Sequence, residues 1–383
     1  MNSVAVSSIT APTATTARWA DDAKVLADVG LAAQQQLAPA AKRIDEGYYP
    51  LDIMASLGQA GAYAGHLDQH GCRFDLSISA MSEISRHCGA TGFLTWAHDV
   101  CGLYMEQSGN PALLARLGDH TAGLTFGGTG LSNPMKALAG IENMAFKAKK
   151  VPGGYSVSGT LPWVSHIAKG QYCGAVAAVD HSDGSRSHEI MFLLDLDERV
   201  SLRACPEFSG MEGTSTWAIT LVDYFVSEDQ MIADPARPFI QRIRGAFVLL
   251  QVGIAAGIIQ GSIDSMRAVE PTLGHVNQYL HNRPDELQAE FDDLVARTMV
   301  LAKTPYEGSK EFFLDVLDVR SQGAELCLKA SQSSLLHQGA KGYLMSAAPQ
   351  RRIREAHFVA IVTPAIKHLR WEMAKQMREE VPA

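Results

Sequence analysis

Two short segments and three histidines carry the side chains best suited to chemistry. The run Leu124-Thr125-Phe126-Gly127-Gly128-Thr129-Gly130-Leu131-Ser132-Asn133 sets three glycines among three hydroxyls. Glycines let a backbone approach a ligand closely, and exposed N–H groups with nearby hydroxyls satisfy ring oxygens or phosphates. Taken alone, such a run is a β-turn. Farther on, Gly159-Thr160-Leu161-Pro162-Trp163-Val164-Ser165 offers a large flat indole and, two residues later, a hydroxyl. His98 sits within Thr95-Trp96-Ala97-His98-Asp99, His166 follows Ser165, and His368 lies near the C-terminus. An imidazole exchanges a proton near neutral pH, so each is a candidate acid, base or hydrogen-bond donor. A lone histidine on an apolar helix is more often a satisfied core group, and Phe93, Trp96 and Tyr104 read first as core packing. The 13 histidines and six cysteines show no H-E-x-x-H, no C-x-x-C and no other metal-ligand spacing. No metal centre is expected, and the cysteines read as buried free thiols of a cytoplasmic protein.

The chain has 383 residues, 46% hydrophobic and 19% charged, which describes a globular protein of two or three packed subdomains. A net charge of −8, with lysines and arginines scattered, argues against nucleic acid or an anionic membrane as partner. The most apolar stretch, 246–263, is broken by Gln251, Gly253, Gly257, Gln260 and Gly261 and reads as a buried helix, not a membrane span. The first 17 residues have neither the basic start nor the apolar centre of a secretory signal, and read as a frayed tail.

The pattern is helical over 18–119, with helices expected at 51–60, 75–87 and 92–106 and a short one opened by Asn110-Pro111. From Thr121 the chain turns rich in glycine, valine and hydroxyl residues, and strands are expected around 155–158, 174–179, 189–194 and 217–222. This β block occupies 120–230. Helical periodicity returns over 231–383, with helices drawn at 239–269, 284–303, 310–336 and 349–378, the pattern of an antiparallel bundle.

That order of blocks resembles the acyl-CoA dehydrogenase superfamily of flavoproteins: an N-terminal all-α domain, a middle β-barrel domain and a C-terminal four-helix bundle. The run 124–133 sits where the family has its Leu-Thr-Glu-Pro-x-x-Gly-Ser-Asp loop, with Phe126-Gly127 in place of Glu-Pro. The run 159–165 is similar to the family's Gly-x-Lys-x-Trp-Ile-Thr/Ser segment. The stretch 208–216 resembles the Gly-x-Arg-x-Ser-x-Thr strand and locates the domain without adding chemistry. Gln338-Gly339-Ala340-Lys341-Gly342-Tyr343, followed by Arg351-Arg352-Ile353-Arg354-Glu355-Ala356, resembles the Gly-Gly-x-Gly-Tyr turn and the Arg-Asp-Ala helix. The resemblance implies FAD, with FMN the alternative because Leu273-Gly274-His275-Val276 stands where the adenine-side motif is expected. Leu124, Thr125, Gly130, Ser132, Trp163 and Ser165 are the implied flavin contacts. Gln338, Gly339 and Gly342 would reach the dinucleotide of a neighbouring subunit, which implies a homodimer or homotetramer.

The chemistry implied is less ordinary. Dehydrogenation beside a thioester needs a carboxylate base, because the α-proton is only weakly acidic. Counting from Arg354-Glu355-Ala356, Thr363 takes the base position, and the alternative site on the first bundle helix falls on Phe247. Gly245 and Val248 stand near the positions that hold the thioester end, with Arg242 or Arg244 as substitutes. A flavin surface without a base is similar to the monooxygenase branch, including dibenzothiophene monooxygenase and the flavin-dependent N-hydroxylases. There, reduced flavin from a separate reductase reacts with oxygen and a small organic substrate is oxygenated. His98, Ser165 and His368 are then the catalytic candidates. The alternatives are an acyl-CoA dehydrogenase with a relocated base, for which Glu355 and Glu372 read as solvated helix charges, and a non-catalytic flavin-binding protein.

Overall fold

The computed structural model describes residues 22–180 and 186–378, so the expected tail over 1–17 lies outside the described residues. Helices α1 (Asp22–Ala32), α2 (Ala38–Asp45), α3 (Leu51–Gln59), α4 (Phe74–His87), α5 (Gly89–Ser108), α6 (Pro111–Leu114) and α7 (Leu117–Thr121) form the first layer. Asn110 caps α6 as its sequence suggests: its side chain accepts from Ala112 N at 3.0 Å, and Pro111 occupies the first helical position. The amide of the same side chain donates to the carbonyls of Glu228 and Met231, tying this layer to the exit of the sheet. Every residue of α5 from Gly89 to Met105 is buried, as expected of a helix with no polar face.

Among the described residues eight strands follow: β1 (Gly127–Thr129), β2 (Phe146–Val151), β3 (Gly154–Val164), β4 (Tyr172–Asp180), β5 (Arg186–Asp195), β6 (Ser201–Ala204), β7 (Trp217–Ser227) and β8 (Met231–Ala233). Their order is β6-β7-β3-β2-β4-β5-β8, with β1 added in parallel to β4. Residues alternating along β2, β3, β4, β5 and β7 share one core of their own. The register of β3 against β7 slips between Leu161 and Val164. Pro162 has no N–H to give a ladder, and the bulge it occupies turns Trp163 out of the sheet. Between β1 and β2 the chain forms α8 (Ser132–Leu138), which the sequence did not announce.

Helices α9 (Ala236–Leu250), α10 (Val252–Asn277), α11 (Pro284–Leu301), α12 (Lys310–Gln338), α13 (Ala348–Ile361) and α14 (Ile366–Arg378) complete the fold. The stretch Ala236–Asn277 is long and apolar enough to cross a membrane, and 94% of its most apolar window is buried within the protein. Its glycines serve packing. A Cβ on Gly257 would stand 2.1 Å from Ser82 O, and one on Gly261 would stand 2.5 Å from Arg86 O, so α10 rests directly on the α4 backbone.

The single helix expected over 349–378 is interrupted at 362–365. Pro364 disfavours the helical conformation at Thr363 and supplies no backbone donor. The turn is anchored from below: Gln251 Nε2 donates to Thr363 O at 2.9 Å, and buried Arg320 donates to Gln251 Oε1 and Val359 O. Gln251, an apparent flaw in an apolar stretch, holds this turn. Glu355, expected to be solvated, is 2% exposed and accepts from Arg351 Nε and Gly89 N, both at 3.0 Å.

Candidate functional site

The segments 124–133, 159–165 and 208–216 meet around β1. A Cβ on Gly127 would stand 2.4 Å from the Tyr172 ring, and one on Gly128 would stand 2.8 Å from Ser165 O. Only glycine fits there, and the close approach sets the glycine-rich run against the Trp163–Ser165 segment. Ser165 Oγ bonds Thr216 Oγ1 at 2.7 Å, which brings the 208–216 stretch to the site although the sequence gave it no chemistry. At the other end of the run, Ser132 Oγ bonds Thr363 Oγ1 at 2.9 Å. The glycine-rich loop and the turn at 362–365 are therefore in direct contact.

The proton positions on two of these hydroxyls follow from their partners. Thr214 donates its only proton to Met211 O at 2.7 Å, so Thr216 must donate to Thr214, and Ser165 to Thr216. His120 Nε2 faces the carbonyl of His98 at 3.0 Å and donates to it, leaving Nδ1 to accept from Tyr172. Tyr172 then accepts from Thr125 at 3.0 Å. Ser165 and Thr125 thus offer lone pairs, not protons, to whatever lies beside them. Those lone pairs suit a ligand with several ring N–H groups.

His98 is placed deep inside α5. Its Nε2 donates to His120 O at 2.9 Å, its Nδ1 accepts from Gly127 N at 3.4 Å, and its ring stacks on His120 with centroids 3.6 Å apart. Both nitrogens are engaged, and burial lowers the pKa to about 4, so the imidazole is neutral. His66, His120 and His166 surround it, each likewise pushed down by burial. Both carboxyl oxygens of Asp99, next to His98, are buried without a hydrogen-bond partner, and burial raises its pKa well above the usual carboxylate value. Phe93 stacks on Trp96, which meets Phe247 edge-on, all within the core.

His368 is differently placed. It lines a cavity of about 320 Å³ between α8, α9, α12 and α14, together with Met135 and Leu138 from α8 and Pro364 from the turn. Its Nδ1 is buried without a partner. Burial lowers its pKa, against a smaller upward pull from Glu372, with Lys136 adding to the lowering. Arg244 and Val248 also line the cavity, as does Glu372, which the sequence had left to solvent. Gly245 packs elsewhere, its Cβ position 3.1 Å from Phe312.

A flavin fits the surface around β1. The Trp163 indole is 62% exposed and Leu124 65%, giving flat apolar contact, while Thr125, Ser132 and Ser165 supply polar groups; Gly130 is buried, its N–H bonded to Gly174 O at 2.8 Å. Gln338, Gly339 and Gly342 are not brought to this place. Gln338 donates to Ser265 O at 3.0 Å, and the turn lies roughly 30 Å along α12 from the cavity, at 1.5 Å per residue over the 21 residues beyond Leu317.

No protein-family profile matches the chain. Among curated proteins it is similar to the mitochondrial isovaleryl-CoA dehydrogenase of Oryza sativa subsp. japonica. That match is 26% identical over 240 residues, covering 59% of this chain and 57% of the relative, so the chain spans little more than half that relative's length. Among solved structures it is similar to butyryl-CoA dehydrogenase from Megasphaera elsdenii. The TM-score is 0.81 at 15% identity, covering 96% of this chain and 100% of that one. It is also similar to dibenzothiophene monooxygenase from Paenibacillus sp. A11-2, with a TM-score of 0.76 at 13% identity over 94% and 98% of the two chains.

Proposed function

We propose that this chain, which has the acyl-CoA dehydrogenase fold, is a flavin-dependent oxidoreductase that works as a reduced-flavin-dependent monooxygenase on a small organic substrate. The observation that carries the reading is the turn at 362–365. It is bonded to the glycine-rich loop through Ser132, and the residue that the sequence resemblance counts to the base position, Thr363, carries a hydroxyl where α-proton abstraction needs a carboxylate. Phe247, the other base position, is buried against Trp96. Reduced FAD, when bound, supplies the electrons that activate oxygen. Trp163 and Leu124 would hold the ring system, with Thr125, Ser132 and Ser165 at its polar edge. The acceptor orientation of Thr125 and Ser165 favours the reduced ring, which carries more N–H groups than the oxidised one. His368, which lines the cavity, is the group able to move a proton to or from the substrate. His98 serves as a packed, neutral element of the scaffold.

The Gln338–Gly342 turn serves a second copy of the chain, and a separate reductase delivers the reduced flavin. Protein loaded with reduced FAD and mixed with oxygen is expected to form a transient species whose spectrum differs from both reduced and oxidised flavin. Reoxidation in one phase, at the rate of free reduced flavin, would sink the reading. Glu372 supports a second reading, an acyl-CoA dehydrogenase with a relocated base, because its carboxylate lines the cavity.

A further inference from the structure

A guanidinium on the cavity wall makes no direct ion pair with the described residues. Arg237 of α9 pairs with buried Glu189 at 3.1 Å. Arg244, two helical turns on and on the same wall, is half-buried and has no hydrogen bond or ion pair among the described residues. Its guanidinium lies over the Phe313 ring, 3.8 Å from the centroid. Glu372 makes no direct ion pair with it, acts on it only through space, and accepts from Gln376 Nε2 at 2.9 Å. Lys375 adds a second positive group, Met135, Ile240 and Leu317 form an apolar part of the wall, and Gln241, Gln376 and Glu372 add polar groups. A partly desolvated guanidinium without an acceptor is costly, and its planar fork matches a carboxylate in a way that a neutral chain cannot.

We propose that the cavity takes a small free carboxylic acid, its carboxylate bound by Arg244 against Phe313 and its apolar body directed past Leu317 and Met135 toward His368. The inference rests on the reading above and names its substrate class. An acyl thioester would bring a neutral chain to this place and leave Arg244 unpaired. The cavity, at about 320 Å³, is at the small end of ligand pockets and suits a compact acid.

The test is calorimetric titration of the flavin-loaded protein with benzoate, phenylacetate and 3-phenylpropionate, each beside its primary amide and its CoA thioester. At least one acid is expected to bind on the order of 10- to 100-fold more tightly than its amide, as charge-assisted hydrogen bonds imply. Arg244→Gln is expected to reduce the acid to the level of the amide, and Arg244→Lys to restore part of the preference. Absence of acid-selective binding across the panel, tighter binding of the thioesters, or a preference that survives Arg244→Gln would overturn the proposal. Because no turnover is read, this failure is separable from that of the monooxygenase reading, which the oxygen experiment tests by itself.

Discussion

Replacing His368 with glutamine is expected to leave flavin binding intact while lowering substrate-coupled oxygenation by on the order of 100- to 10,000-fold, the range that a positioned proton-transfer group contributes. Glutamine keeps hydrogen-bonding capacity at the cavity wall but cannot exchange a proton. The wild-type pH profile gives a second readout. Burial holds the His368 pKa below its ordinary value of 6.5, so the imidazole is neutral at pH 7. Activity that needs the neutral ring should be flat through neutrality and fall as pH drops through that lowered pKa, on the acid side of an ordinary histidine. The glutamine variant should lose this acid limb. Unchanged turnover in His368→Gln, or an acid limb that persists in it, would remove His368 from the mechanism.

The largest expected stability effect is at Glu355. Glu355→Ala strands the Arg351 guanidinium, 9% exposed, and leaves Gly89 N at the start of α5 without its acceptor. Removing one member of a buried ion pair costs about 3–5 kcal/mol, because the partner stays charged in a place that water does not reach. Arg351 also donates to His87 O at 2.7 Å, so the loss falls where α13 meets the junction of α4 and α5. The measurement is a urea midpoint taken on flavin-free protein, so that ligand binding does not mask the difference. Glu355→Gln keeps an acceptor without the charge and should fall between the alanine variant and wild type. A midpoint within error of wild type for Glu355→Ala would show that the pair contributes nothing.

The sequence announces the fold through periodicity, which is a local property. The limits of α3, α11 and α12, the Asn110 cap and the positions of β4, β5 and β7 all follow from residue spacing and capping chemistry. Partnership across the fold is what periodicity cannot report. Glu355 and Glu372 carry the same helical signature, yet one is sealed inside an ion pair and the other faces a cavity, because burial is decided by helices far away in the chain. His98 and His368 show the same limit: nothing local distinguishes a histidine with both nitrogens engaged in the core from one that lines a cavity. Two signals were available. Pro364 marked the interruption before α14, and Gln251 within an apolar stretch marked a polar group that had to find a partner.

The central claim is that the flavin chemistry of this chain does not begin with abstraction of an α-proton from a thioester. The most direct measurement is anaerobic mixing of the protein loaded with oxidised flavin with a panel of short-chain acyl-CoAs, following the visible flavin band. With Thr363 and Phe247 at the positions that the sequence resemblance assigns to the base, no acyl-CoA is expected to bleach it. Bleaching by any of them would contradict the account and leave Glu372, the carboxylate on the cavity wall, as the base of an ordinary dehydrogenase.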